Sequence, residues 1–136
     1  MTDMSLGEDT AHPLALYRNH MEFNGYRVEE GEETLFCHHP RKPNLILKPI
    51  GDRGVLVSAI YSCADGIARI NALEYVNDLN RDFLFMKAFI DTDHDLILET
   101  FFEGDYDRTN FSILLENIEY DMNILRRNEL TERFLR

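Results

Sequence analysis

The stretch Gly66 to Phe102, GIARINALEYVNDLNRDFLFMKAFIDTDHDLILETFF, decides the fold, because its apolar period changes once, near Phe83. Before that point Ala72, Leu73, Val76, Leu79 and Phe83 recur at helical spacing, with Arg69, Glu74, Asn77, Asp78 and Arg81 largely elsewhere on the surface. A helix starting near Gly66 is expected, with Asp65 as its N-cap, since a carboxylate there accepts from free first-turn amides. After Phe83 the residues alternate. Phe85, Lys87 and Phe89 point one way, and Met86, Ala88 and Ile90 the other.

Asp91-Thr92-Asp93-His94-Asp95 breaks the run with short polar side chains that favour turns, and the chain resumes as a strand from Leu96 through Phe102. Pairing Ile90 with Leu96 then sets Ala88 against Leu98, Phe89 against Ile97, Lys87 against Glu99 and Phe85 against Phe101. This register matches like with like. The face carrying Met86, Ala88, Ile90 and Leu98 is wholly apolar and needs a helical cover. The other face, with Phe85, Phe89, Ile97 and Phe101 around Lys87 and Glu99, is apolar too, and helices can cover only one of the two. That second face is the candidate partner-binding surface.

Working outward, Met1 to Thr10 is polar and expected to be a loose leader; lacking a basic region and an apolar run, it is not read as a signal peptide. Residues 11–136 are expected to form one domain. Thr10 or His12 caps a helix opening at Pro13, with Leu14, Tyr17 and Met21 as its stripe and Gly25 as its stop. Tyr26 to His38, interrupted by the acidic turn Glu29 to Glu33, then Asn44 to Lys48 and Val55 to Cys63, read as three extended segments. Pro40 and Pro43 end the first, and Gly51-Asp52-Arg53-Gly54 turns between the last two. In Val55 to Cys63 the residues Val55, Val57, Ala59 and Tyr61 share a side.

A last helix, capped by Thr109 or Asn110, carries Phe111, Leu114, Leu115, Ile118, Met122 and Leu125 on one face, with Glu116, Glu119 and Asp121 outside it. It should end at Arg126 to Asn128, with room for a second short segment from Glu129 to Arg136. The order is helix, three strands, helix, two strands, helix. This is an α+β fold, α-β-β-β-α-β-β-α, with an antiparallel sheet and helices packed on one face.

The chain has 136 residues, enough to bury a core without disulfide or metal staples. Its net charge of -11 repels phosphate backbones and anionic lipids, so neither nucleic acid nor membrane is an expected partner. Two cysteines, Cys37 and Cys63, make no disulfide framework, and no apolar run is long enough to span a bilayer. The expected location is cytoplasmic.

Asp91, Asp93 and Asp95 have the spacing that opens an EF-hand loop, but Leu96 stands where its glycine belongs and Phe102 where its bidentate glutamate belongs. Cys37 and His39 could share one face of a strand, yet no further ligand pair completes a zinc site. A small enzyme or metal protein using Cys37, His39 or the Asp91 to Asp95 turn is the alternative reading. No nucleophile elbow, phosphate loop or zincin motif is present, so no catalytic residue, metal or cofactor is expected.

The element order, together with Asn77-Asp78-Leu79-Asn80 at the helix end, the aromatic strand, the acidic turn and the apolar strand holding Glu99, resembles the bacterial YbjN family of sensory transduction regulators. More loosely it resembles type III secretion chaperones. The resemblance covers Pro13 to Leu125, although His94 stands near where the family turn usually carries glycine. It implies a non-enzymatic, protein-binding module, chaperone-like or regulatory, acting as a small acidic homodimer on an unidentified client or regulatory protein. Phe85, Lys87, Phe89, Ile97, Glu99 and Phe101 are the candidate contact residues.

Overall fold

The structure, a computed structural model, describes residues 12–136. The expected leader, and Thr10 as a cap, lie outside the described residues. In chain order these form α1 (Ala15–Phe23), β1 (Arg27–Glu30), β2 (Leu35–His38), β3 (Leu45–Ile50), β4 (Gly54–Ser62), α2 (Arg69–Asp82), β5 (Lys87–Ile90), β6 (Asp95–Glu103), α3 (Arg108–Arg127) and α4 (Thr131–Phe134).

The six strands make one antiparallel sheet ordered β1-β2-β3-β4-β6-β5. The class is the expected α+β, with one strand more before α2. Tyr26 to His38, counted as one segment around its acidic turn, makes two paired strands: the Gly31 N–H donates to the Thr34 carbonyl at 2.7 Å and reverses the chain there. The β5–β6 register follows the charge and aromatic matching: Lys87 faces Glu99, Ala88 Leu98, Phe89 Ile97, and Ile90 Leu96.

Alternation sorts the sheet into two faces. Leu35, Cys37, Leu45, Leu47, Val57, Ala59, Ala88, Leu96 and Leu98 project to one side and are buried with Tyr17, Met21, Tyr75, Leu79, Phe111, Ile118 and Met122 from the helices. Each fully buried Leu, Val, Ile, Met or Phe in this set contributes about 1.5–3 kcal/mol by leaving water. The helices therefore belong to this side. On α2 the buried set is Ala72, Tyr75, Val76 and Leu79, while Leu73, expected on the stripe, is exposed.

Helix ends follow local chemistry. The His12 ring accepts from the Leu14 N–H at 3.0 Å ahead of α1, and Gly25, at φ +90°, lets the Tyr26 N–H reach back to the Met21 carbonyl at 3.1 Å. Asp65 does not cap α2. Gly66 takes φ +79°, which no right-handed helix accommodates, so α2 starts at Arg69 with Ala68 as a cap lacking a side-chain bond. Asp65 instead faces Arg136 at 3.6 Å. Asp107, rather than Thr109 or Asn110, caps α3 by accepting from the Asn110 N–H at 2.8 Å. Past Asn128, α4 returns the chain to the core, where Phe134 stacks on Tyr75 with ring centroids 5.0 Å apart.

The passage from α2 into β5 is the tightest point. Asp121, expected on the outer side of α3, is completely buried. One carboxylate oxygen accepts from the Leu84 N–H at 3.0 Å, and the other from Phe85 at 2.8 Å and Met86 at 2.7 Å. Two residues further on, the Asn80 carboxamide pairs with both backbone groups of Ala88, at 2.8 and 2.9 Å, in the manner of a neighbouring strand. Asp121 of α3 thus holds the bend that leads into β5, and Asn80 of α2 occupies its outer edge at Ala88, which would otherwise present an open donor and acceptor. Asp121→Ala leaves three amides unpaired at this elbow, and should lower stability by about 3 kcal/mol or more in chemical denaturation. A loss under about 1 kcal/mol would contradict the arrangement.

Candidate functional site

The face of the sheet opposite the helices carries apolar side chains on every strand from β2 to β5, interspersed with polar ones. Cross-strand neighbours give two rows. One runs Ile60, Ile97, Phe89 over β4, β6 and β5; the other runs Phe36, Ile46, Ser58, Glu99, Lys87 over all the strands from β2 to β5. Leu56 and Phe101 pair below them. Phe36, Ile60, Phe89 and Phe101 are each between 38% and 50% exposed, values typical of side chains standing on a sheet with nothing stacked on top.

Two ion pairs lie on this face. Lys87 Nζ lies 3.1 Å from Glu99 and 5.8 Å from the Phe89 ring centroid, and Arg27 bonds Glu29 at 2.8 Å on the far edge. Exposed pairs of this kind contribute about 1 kcal/mol at most. The Lys87 pair leaves Glu99 partnered where it stands between Ile97 and Phe101. Gly54, at φ +153°, closes the lower corner: a Cβ there would stand 2.1 Å from the Phe102 carbonyl oxygen and 2.9 Å from the Phe101 ring, so only glycine fits against the β6 backbone and Phe101.

Of the six residues expected to make contacts, Lys87, Phe89, Ile97, Glu99 and Phe101 share this face. Ile97 is itself buried, wedged between Ile60 and Phe89. Phe85 does not join them. The ladder ends at Lys87 because Asp121 holds the Phe85 N–H, and the Phe85 ring turns against Tyr120 of α3, 5.9 Å away and edge-on. The expected Phe85–Phe101 pair is not formed. Phe36, Ile46, Leu56 and Ile60 belong to the same surface and come from strands outside the central stretch. Their signal was present in Leu35-Phe36-Cys37, Leu45-Ile46-Leu47 and Val55-Leu56-Val57, runs apolar at both parities and therefore at both faces.

The residues of the alternative reading are occupied otherwise. Cys37 is buried on the core side, and burial pushes its thiol up to about 12, the opposite of an activated nucleophile. The His39 Nδ1 accepts from the Arg41 and Lys42 amides at 3.0 Å each, holding the loop after β2. In the β5–β6 turn an Asp91 oxygen accepts from the Asp93 and Asp95 amides at 2.9 Å, while His94 takes φ +63°. Among the described residues, no three His, Cys, Asp or Glu side chains are grouped to hold a metal ion.

No protein-family model matches the chain, and no curated protein matches it in sequence. Among solved structures, it is similar to the crystal structure of YbjN from E. coli, a protein proposed to be a transcription regulator. The TM-score is 0.71, over 90% of this chain and 95% of that one. The chain has the YbjN fold. At 17% identity the likeness is one of architecture, and it fixes the order of strands and helices that creates the two unequal faces. Among the described residues no helix is long and apolar enough to cross a membrane.

Adjacent phenylalanines test the assignment of faces. Phe102, 8% exposed, packs edge-on against Tyr17 and Phe111, whereas Phe101 is 40% exposed on the opposite side. Phe102→Ala should cost about 3–5 kcal/mol in denaturant titration of dilute protein, and Phe101→Ala under about 1.5 kcal/mol. Equal costs would place both rings in one core.

Proposed function

We propose that this protein is a non-enzymatic protein-binding module, regulatory or chaperone-like, that works in the cytoplasm as a homodimer joined through the outer face of its sheet. The observation that carries the reading is that face: apolar side chains from β2, β3, β4, β6 and β5 stand on it, and among the described residues every helix lies on the other side. At about 4.8 Å per strand and 3.3 Å per residue, it measures on the order of 500–700 Å² in projection. That approaches the roughly 800 Å² per partner of a standard protein–protein interface.

Electrostatics favour a second copy over a nucleic acid. Away from the ends of β6, the face carries Arg27, Lys48 and Lys87 against Glu29 and Glu99, while the whole chain has 14 basic and 25 acidic side chains. The acidic excess therefore lies on other surfaces, where it keeps the assembly dissolved and leaves the apolar face free of self-repulsion. The similarity to YbjN supports a regulatory role, and client contacts would fall to surfaces outside the sheet.

Solution mass tests this directly. Light scattering on the purified chain should give twice its 16.0 kDa, and Phe89→Glu combined with Phe101→Glu should return a folded monomer. A wild-type monomer at hundred-micromolar concentration would refute the dimer. So would a double variant that stays dimeric.

A further inference from the structure

A second surface feature lies on the helical side, between α1 and the start of α3. Leu16, Asn19, His20 and Phe23 follow one another at i, i+3, i+4 and i+7 of α1, and Arg108 and Ser112 at i and i+4 of α3, so both stripes face one cleft of about 430 Å³. Its other residues are Asn24 and Tyr106. The lining contains one cation and no carboxylate, in a chain where acids outnumber bases.

The floor of the cleft is a fixed polar chain. His20 is buried, its Nδ1 2.7 Å from the Tyr106 hydroxyl and its Nε2 3.2 Å from Ser112 Oγ. Burial, and then the Arg108 charge, lower its pKa, which keeps the ring neutral. When Tyr106 donates to Nδ1, Nε2–H donates to Ser112, and the serine proton is left free to donate into the cleft. The walls are apolar and open. Phe23 is 81% exposed, with the Arg108 guanidinium 5.9 Å over its ring, and among the described residues Arg108 makes no ion pair. A tie between α1 and α3 accounts for His20 but not for an exposed phenylalanine under an arginine that has no carboxylate partner among the described residues.

We infer that this cleft binds a small organic carboxylate on an apolar body, its carboxylate taken by Arg108 and Ser112 and its body lying on Phe23 and Leu16. A guanidinium accepts a carboxylate through two parallel hydrogen bonds, and a single cation matches a single negative charge. The cleft's size is that of a small-molecule site, and its place on the helical side leaves the sheet face untouched. The proposal therefore does not rest on the dimer.

The test is amide NMR of the full chain titrated with phenylacetate and, separately, with its uncharged analogue phenylacetamide. Phenylacetate should shift resonances of residues 16–24 and 106–112 and bind about tenfold more tightly than the amide, the difference one charge-assisted pair supplies. Arg108→Gln, at an exposed position, should abolish that preference, and Phe23→Ser should weaken both ligands. A blocked peptide ending in a free phenylalanine carboxylate, compared with its amidated form, forms a second arm. Preference for the free-acid peptide over phenylacetate would identify the carboxylate as a chain terminus, with the same recognition chemistry. Equal binding of acid and amide, shifts outside the cleft only, or preference retained in Arg108→Gln would each overturn the proposal.

Discussion

Everything about the shape of this protein turns on how α2 is joined to β5. A helix that passes directly into an edge strand must expose backbone amides at the bend, since they have left the helical ladder and the sheet offers no neighbour. Asp121 answers for three of them from inside α3, and Asn80 answers for Ala88 from inside α2. Hydrogen bonds to a buried carboxylate are among the stronger ones in a folded chain. Both helices are consequently pinned to one edge and one side of the sheet.

That pinning has a cost on the opposite side. Among the described residues, every helix packs on the core face, where Tyr17, Phe102 and Phe111 pack edge to face beneath α1 and α3. The strands β2, β3, β4 and β6 nonetheless carry apolar residues at both parities, and the outward ones meet in the Ile60–Ile97–Phe89 row and in the Phe36–Ile46 and Leu56–Phe101 pairs. The edges of the sheet are less inviting to a partner than its face. β5 is capped by side chains, and β1 is short, with Arg27, Glu29 and Glu30 among its four residues. Broad apolar area in the middle and blocked edges together describe a surface for face-to-face contact rather than strand addition.

Much of this was written plainly in the residues. The change of period at Phe83 and the opposed Lys87 and Glu99 gave the hairpin and its register, because charge and aromatic matching across two strands leaves few alternatives. The imbalance between the two sheet faces was legible there as well. What escaped was tertiary in origin. Nothing local distinguishes Asp121 from the solvated Glu116 on the same helix; only the arrival of residues 84–86 from a distant segment makes its position an acceptor site. The same arrival diverts Phe85 from the strand. Asp65 looked like a cap until the left-handed Gly66 moved the helix start, and Leu16, Asn19, His20 and Phe23 acquire meaning only when α3 brings Arg108 and Ser112 against them.

The central claim is that one side of the sheet is sheltered within the subunit and the other only by a partner. Hydroxyl-radical footprinting of side chains across a dilution series reads this most directly. Phe36, Phe89 and Phe101 should be oxidised in dilute protein and become protected as concentration rises, while Phe102 and Phe111 stay protected throughout. Protection of all five rings at every dilution would show that a single subunit covers both faces, and the account would fail.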